Sequence, residues 1–356
     1  MTPTHFDVAV VTTRASRRIA ELVLSYREAA DGQILEEGIT EAGSLASFTA
    51  AATAYATWGE PLIPFFVFYS MFGFQRVADL IWSFGDQMGR GFLCGATAGR
   101  TTLAGEGLQH CDGQSHLFAM AFPDCRAYDP AFAYELAVIV RDGIERMYGP
   151  GAEGGFWYLT LYNENIEQPP MPPGVEAGIV AGCYLLSGTP EPAGARVLAS
   201  GPMVREALVA QRRLAEDHGL AVEVWSAPGW KQLRDDALAC ERWNRLHPGS
   251  ARRVPYVTEC LSGSTAPVVA VSDWVRGVPD AIARFVPARY HVLGTDGYGC
   301  SDVRPALRRR FEVDAAHIDV AVLAALAEEG TVAPHVVSEA IAAAGIDPAA
   351  VDPARG

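Results

Sequence analysis

PLIPFFVFYSMFGFQRVADLIWSFGDQMGRGFLCGATAGRTTLAGEGLQHCDGQSH, residues 61–116, is the stretch around which this chain is organised. Ile63 to Tyr69 is an apolar and aromatic run too short to cross a membrane, and it reads as a fully buried strand. Gly89 to His116 is rich in glycine and dense in Thr, Glu, His, Asp and Gln, a composition suited to a loop laid closely around a ligand. A strand feeding a polar, glycine-rich loop is where an α/β domain keeps its chemistry.

Outward from that stretch, strand and helix signals alternate. On the amino-terminal side, Ala15 to Ala30 has the spacing of a lead-in helix, Gln33 to Ile39 is strand-like, and Ala42 to Thr57 is an Ala-rich helix stopped by Gly59. On the other side, Leu117 to Ala127 reads as a strand. Asp129-Pro130 supplies an N-cap and a first-turn proline for a helix ending near Tyr148, and Phe156 to Tyr162 is the next strand. QPPMPP, between Glu167 and Gly174, continues neither element and marks a linker. Beyond it Arg196–Ala199, Leu220–Trp225, Ala266–Val271 and His291–Gly294 read as strands, and Met203–His218, Trp274–Phe285, Asp302–Phe311 and Val320–Glu329 as helices. The fold class is α/β, two domains with mostly parallel sheets flanked by helices. The expected division is a lead-in segment at 1–31, a first domain at 32–168, a linker region at 169–190 and a second, smaller α/β unit at 191–356.

Composition narrows the function. A length of 356 residues with 49% hydrophobic residues can bury two cores, and a net charge of −14 argues against a nucleic-acid partner. The basic run Arg308 to Arg310 reads as a solvated helix face. Seven scattered cysteines without a CxxC pair fit reduced thiols, no signal peptide is read at the amino terminus, and no run of 18 apolar residues is present. A soluble, cytoplasmic protein without a membrane association is expected. His110, Cys111, Asp112 and His116 match no standard zinc spacing, and no GxSxG, Walker A or HExxH motif is found. GTDGYG at 294–299 lacks the order of a phosphate loop and reads as a tight turn between strand and helix. Glu41, at the start of the Ala-rich helix, has the ordinary place of a first-turn glutamate in a helix dipole. Tyr69 and Phe72 have the ordinary places of core aromatics, and Arg76 is expected to pair with a carboxylate at the sheet rim or a subunit contact.

YSMFGFQR, GRTTLAGEGLQH, RWNRLHP and GTDGYG resemble the homodimeric-type pyruvate dehydrogenase E1 component, a thiamine diphosphate enzyme of the transketolase superfamily. The resemblance covers nearly the whole chain from about Gly32, but only the second half of the family's longer polypeptide. It implies a pyrimidine-binding domain followed by a transketolase C-terminal-like domain. It implies that Glu41 faces N1′ of the cofactor's aminopyrimidine, where a buried carboxyl can share the proton that converts the 4′-amino group into a base. Tyr69 and Phe72 would wall that ring, Glu106 would lie near the cofactor or a subunit contact, and His110 would face the substrate as an oxyanion donor or proton shuttle. Cys111 stands where the family has an acidic residue, Gln114 where it has a histidine and Cys300 where it has an arginine, which leaves substrate identity open.

Enzymes of this kind hold the diphosphate through Mg²⁺ with a GDG motif and a later Asn pair. Gly85-Asp86 is the only GD pair, and it is followed by Gln87. A separate α-type subunit is therefore expected to bring the diphosphate-binding domain and the metal ligands, making an α2β2 assembly with this chain as the β-type subunit. Three functions follow. One is half of an E1 enzyme that forms a two-carbon enamine from a pyruvate-like acid and passes the acyl unit to a lipoyl carrier. Another is a transketolase-like transfer of a ketol or glycoloyl unit to an acyl carrier protein, and the third a non-catalytic scaffold.

Overall fold

A computed structural model describes residues 34–103 and 106–355 of the chain. The lead-in helix expected at Ala15–Ala30 lies outside the described residues.

Four parallel strands form the first sheet. They are β1 (Phe65–Tyr69), β2 (Phe92–Ala96), β3 (Cys125–Tyr128) and β4 (Phe156–Leu161), in the order β1-β2-β4-β3. Helices α1 (Glu41–Ala52) and α2 (Phe74–Asp86) cover one face, burying Leu45, Phe48, Ile81 and Phe84 against Phe68, Leu93 and Phe156. A short helix α3 (Ser115–Ala119) precedes β3, and α4 (Ala133–Tyr148) covers the other face through Val138, Ile139 and Met147 on Phe92, Trp157 and Leu159. The second sheet has five strands, β5 (Tyr184–Ser187), β6 (Ala195–Ala199), β7 (Val222–Ser226), β8 (Val268–Val271) and β9 (Tyr290–Leu293), in the order β5-β7-β6-β8-β9, with only the edge strand β5 antiparallel. Helices α5 (Met203–His218), α6 (Trp230–Leu246), α7 (Arg304–Arg310), α8 (Ala315–Glu328) and α9 (Pro334–Ala343) follow in order, α5 and α8 packing on one face of that sheet and α6 on the other. The second unit is therefore not the smaller one, since its sheet has more strands than the first.

Several local expectations need correction. The run from Ile63 is not fully buried: Phe65, Val67 and Tyr69 are 50%, 60% and 49% exposed. β1 is an edge strand whose Phe66–Phe68 face meets α1 while its other face is half exposed, with Phe65 stacked on Phe92, 4.5 Å between ring centroids. Gln33–Ile39 is not a strand, Ile34 making one isolated bridge among its described residues. The Ala-rich helix breaks at Thr53 and resumes for one turn at Ala54–Thr57. Leu117 to Ala127 opens in a helix because Asp112 accepts from the backbone N–H groups of Gln114 and Ser115, at 3.0 and 3.1 Å, and starts α3. Trp274–Phe285 is reduced to short turns at Gly277–Asp280 and Ala283–Phe285. Arg308 is not on a solvated face. It is buried, donating to Glu164 at 2.8 Å and Glu206 at 3.1 Å.

Asp129 does not cap α4, which starts at Ala133. The buried carboxylate of Glu135 fills that role, accepting from the backbone of Ala131 at 2.5 Å. Asp129 instead joins the two domains. The carboxyl ends of both sheets face one another, and Asp129, which follows β3, accepts from Thr160 Oγ1 of β4 at 2.7 Å, from Tyr162 OH and from Ser200 Oγ, which follows β6, at 2.6 Å. All of this is buried apart from the edge of Tyr162. Asp129→Ala strands three hydroxyl donors in the seam and should cost about 3 kcal/mol of unfolding free energy, measurable as a lower urea midpoint. An unchanged midpoint would show that water replaces the carboxylate there.

Candidate functional site

The seam leaves the carboxyl ends of β1 and β2 at its open side, and the residues singled out from the sequence gather there. Thr40 caps α1 by accepting from Gly43 N at 3.3 Å, which sets Glu41 at the first helical position. Glu41 lines a cleft of about 280 Å³ with Gly38, Ile39, Ser44, Tyr69 and Ala96. Its side chain is only 13% exposed, and Oε2 accepts from Arg76 Nη1 at 3.0 Å.

The turn after β1 builds the aromatic wall. Ser70–Phe72 is a single tight turn, and Gly73 follows it so close to Phe68 that a Cβ would overlap that ring. Tyr69 and Phe72 meet edge to face with centroids 6.2 Å apart, and both meet the His110 ring edge to face, at 4.8 and 5.2 Å. Arg76 lies over the Phe72 ring, 4.1 Å from its centroid. Glu106 Oε2 stands 3.8 Å from His110 Nδ1, beyond hydrogen-bond reach, and that nitrogen is buried without a hydrogen-bond partner. Glu41, Tyr69, Phe72, Glu106 and His110 thus form one continuous set of contacts, with Arg76 as the link between Glu41 and Phe72. Sequence reasoning assigned Arg76 only an unspecified carboxylate and missed that it was Glu41. A separation of 35 positions carries no local signal of the pair.

The loop behind this wall is held from the second domain. Arg100 is buried and donates to the carbonyls of Thr295 and Gly297 and to Gln114 Oε1, the last at 2.9 Å. Ser301 Oγ donates to the Glu106 carbonyl at 2.8 Å. Cys111 Sγ lies 3.5 Å from the Cys300 carbonyl oxygen. Cys111 and Gln114, the two departures from the family pattern in this loop, both contact the seam, and Gln114 also reaches Met71 Sδ of the turn after β1, at 3.6 Å. GTDGYG is the turn expected between β9 and α7, and it also serves as the clamp on this loop. Beneath it, Asp273 accepts from Thr101 N and Thr102 Oγ1, each at 2.9 Å. Gly99, with a φ of +90°, passes so close to Asp273 that no side chain fits. Complete burial pushes the Asp273 carboxyl up to about 6.

A carboxylate beside edge-to-face aromatic rings, with a nearby imidazole whose nitrogen is unpartnered, fits the aminopyrimidine end of thiamine diphosphate. Among the described residues no three His, Cys, Asp or Glu side chains are grouped to hold a metal ion. No helix among them is long and apolar enough to cross a membrane.

Comparison with known proteins agrees with this architecture. The family model of the pyruvate dehydrogenase E1 component middle domain matches residues 18–169, and that of the transketolase-like C-terminal domain matches residues 182–314. The pyruvate dehydrogenase E1 component of Pseudomonas aeruginosa is 52% identical over 329 residues, covering 92% of this chain and 37% of its own length. That of Mycobacterium tuberculosis is 51% identical over 320 residues, covering 89% of this chain and 34% of its own. The chain spans little more than a third of the relatives it matches. Among solved structures, transketolase from Leishmania mexicana superposes with a TM-score of 0.63 at 18% identity over 82% of this chain and 37% of that one. A split-gene transketolase, described as an inactive β4 tetramer, superposes with a TM-score of 0.58 at 17% identity over 91% of this chain and 92% of its own. Both likenesses are of fold.

Asp273 makes stability depend on pH. Its carboxyl holds a proton up to about 6 when folded and to 3.8 ordinarily, so between those values the folded state binds more protons and stability falls as pH rises. Urea unfolding should lose on the order of 3 kcal/mol from this group between pH 4 and pH 7, and Asp273→Asn should remove that slope. A slope equally steep in the variant would assign it to other groups.

Proposed function

Because the chain belongs to the pyruvate dehydrogenase E1 family, of which it carries the middle and C-terminal domains, we propose that it is the β-type subunit of a thiamine diphosphate-dependent enzyme acting on a pyruvate-like 2-oxoacid. The observation that carries this is the gathering of Glu41, Tyr69, Phe72, Glu106 and His110 at the carboxyl end of one edge strand. When bound, the cofactor supplies a thiazolium carbon that becomes nucleophilic once its own pyrimidine amino group can act as a base. Glu41 holds the proton at N1′ that makes this possible. Tyr69 and Phe72 would wall the pyrimidine, Tyr69 remaining half exposed on the open side. His110 faces the reacting end, where its ring can give a hydrogen bond or a proton to the substrate oxygen, and Glu106 lies behind it as a counter-charge.

The diphosphate and its Mg²⁺ fall to an α-type subunit in this proposal, giving an α2β2 assembly, with a lipoyl or acyl carrier protein receiving the acyl group. Two features support the division. The described residues furnish the carboxylate and aromatic wall only, and the face of β1 beside the cleft is uncovered. A fold relative of nearly the same extent is, moreover, a split-gene transketolase described as an inactive β4 tetramer.

The test is to combine this chain with a subunit bearing the diphosphate domain, supply pyruvate and a lipoyl carrier, and follow carrier mass. Glu41→Gln should lower acylation by about a hundredfold or more, while this chain without the second subunit should give none. Full activity in the Gln variant would overturn the role of Glu41, and turnover by this chain alone would overturn the two-subunit arrangement.

A further inference from the structure

Two of the seven cysteines meet at a place the candidate site does not use. The helix Glu176–Ala181 ends at Gly182, whose φ is +116° and where a Cβ would come within 2.6 Å of the Gly229 carbonyl oxygen. That turn drops Cys183 into the core of the second domain, where it is fully buried in the cluster of Leu233, Val257 and Leu261. The short helix Tyr256–Leu261 packs over it, and Tyr256 and Cys260, four positions apart, share one face of that helix. Tyr256 OH donates to the Cys183 carbonyl at 3.1 Å. The half-buried Cys260 thiol is in hydrogen-bond contact with both the Cys183 thiol and the Tyr256 hydroxyl. A cleft of about 880 Å³, lined by Val180, Ala181 and Tyr256 among others, opens beside them.

The two thiols differ in chemistry. Donation from Cys183, opposed by burial and aided by Tyr256, holds the Cys260 thiol below the usual range. Giving that hydrogen bond, together with complete burial, holds Cys183 well above it. One sulfur is therefore a thiolate that solvent can reach, and the other is a protonated thiol lying against it.

We propose that Cys260 and Cys183 form a peroxide-reactive pair, with Cys260 the attacking sulfur and Cys183 the resolving one. The Cys260 thiolate attacks one oxygen of hydrogen peroxide. The O–O bond breaks, the sulfur gives up two electrons and becomes a sulfenic acid, and the second oxygen leaves as hydroxide, which takes up the proton that Cys260 shed and becomes water. Cys183 Sγ then attacks the oxidised sulfur. The S–S bond forms as the S–O bond breaks, and the Cys183 proton departs with the hydroxyl group as a second water. An external dithiol resets the pair by supplying two electrons and two protons.

The test treats the full chain with equimolar hydrogen peroxide at neutral pH, alkylates the remaining thiols and maps every cysteine by mass spectrometry. Circular dichroism checks folding of every variant. Wild type should yield a peptide pair joined through Cys183 and Cys260, which dithiothreitol separates. Cys183→Ser should lose the bridge and leave Cys260 as a sulfenic acid that dimedone captures, and Cys260→Ser should leave Cys183 unoxidised. Three results would each overturn the pairing: Cys260 that stays fully alkylatable in peroxide-treated wild type, a bridge from Cys260 to a cysteine other than Cys183, or oxidation of Cys183 at the wild-type rate in Cys260→Ser.

Discussion

The structure depends on two carboxylates buried where the sheets meet end to end. Parallel strands collect their loops at one end, and here both sheets turn that end inward, so the backbone and side-chain polar groups of the loops must find partners in the seam rather than in water. Asp129 and Asp273 supply the acceptors, taking hydrogen bonds from Thr160, Tyr162 and Ser200 in one case and from Thr101 and Thr102 in the other. Arg100 supplies the matching donors to the carbonyls of the 294–299 turn. The seam in this way ties Arg100, Thr101, Thr102 and Glu106 to the second domain, and the Glu106–His110 segment lies against Tyr69 and Phe72.

Electrostatics explain why so much polarity is tolerated there. Asp273 is held part-way to neutrality by burial, and its hydrogen bonds only partly offset the lost hydration. Glu135 is also pushed up by burial, though Ser226, Tyr184 and the backbone of Ala131 all donate to it. Asp273 follows the end of β8, and Glu135, in the first turn of α4, bonds across to β5 and β7 through Tyr184 and Ser226, whereas the hydrophobic clusters lie under the helices. The division is physical: helices cover sheet faces with apolar stripes, and strand ends can be joined only by groups able to satisfy each other's hydrogen bonds.

The alternation that marks an α/β fold was legible because β4, β6 and β8 are buried on both faces and read as largely apolar runs, whereas β2 lies inside the Gly89–His116 stretch that reads as a loop, its Cys94 and Gly95 hiding an equally buried strand. The same rule misread β1. A run such as FFVFY does not say whether a helix will cover its second face, and none does. The helix Trp230–Leu246 went unread although Trp230, Leu233, Ala237 and Cys240 have helical spacing, because of its five buried positions two are small and one is Lys231, and much of its outer face is charged. Asp129-Pro130 has the local form of a cap, but the carboxylate is taken by partners up to 71 residues away, which no local pattern encodes. At the candidate site, the residues came from family motifs and the structure brings them together; the Glu41–Arg76 link is a tertiary contact and was invisible.

The exposed face of β1 gives the candidate site its asymmetry. Phe65, Val67 and Tyr69 are about half exposed, and Ile39, which lines the Glu41 cleft, is 99% exposed. An apolar strip beside a carboxylate-bearing cleft works against proton chemistry while it is wet, because water screens the charge that the cleft is meant to focus. The described residues dry one wall, with Phe66 and Phe68 packed inward and Phe72 closing the turn, and leave the opposite wall open. In the two-subunit arrangement proposed above, a second surface would cover the strip, burying the aromatic residues and sealing Glu41 in the same step. Covering the strip and completing the site would then be one event, so that assembly itself governs when the carboxylate can act.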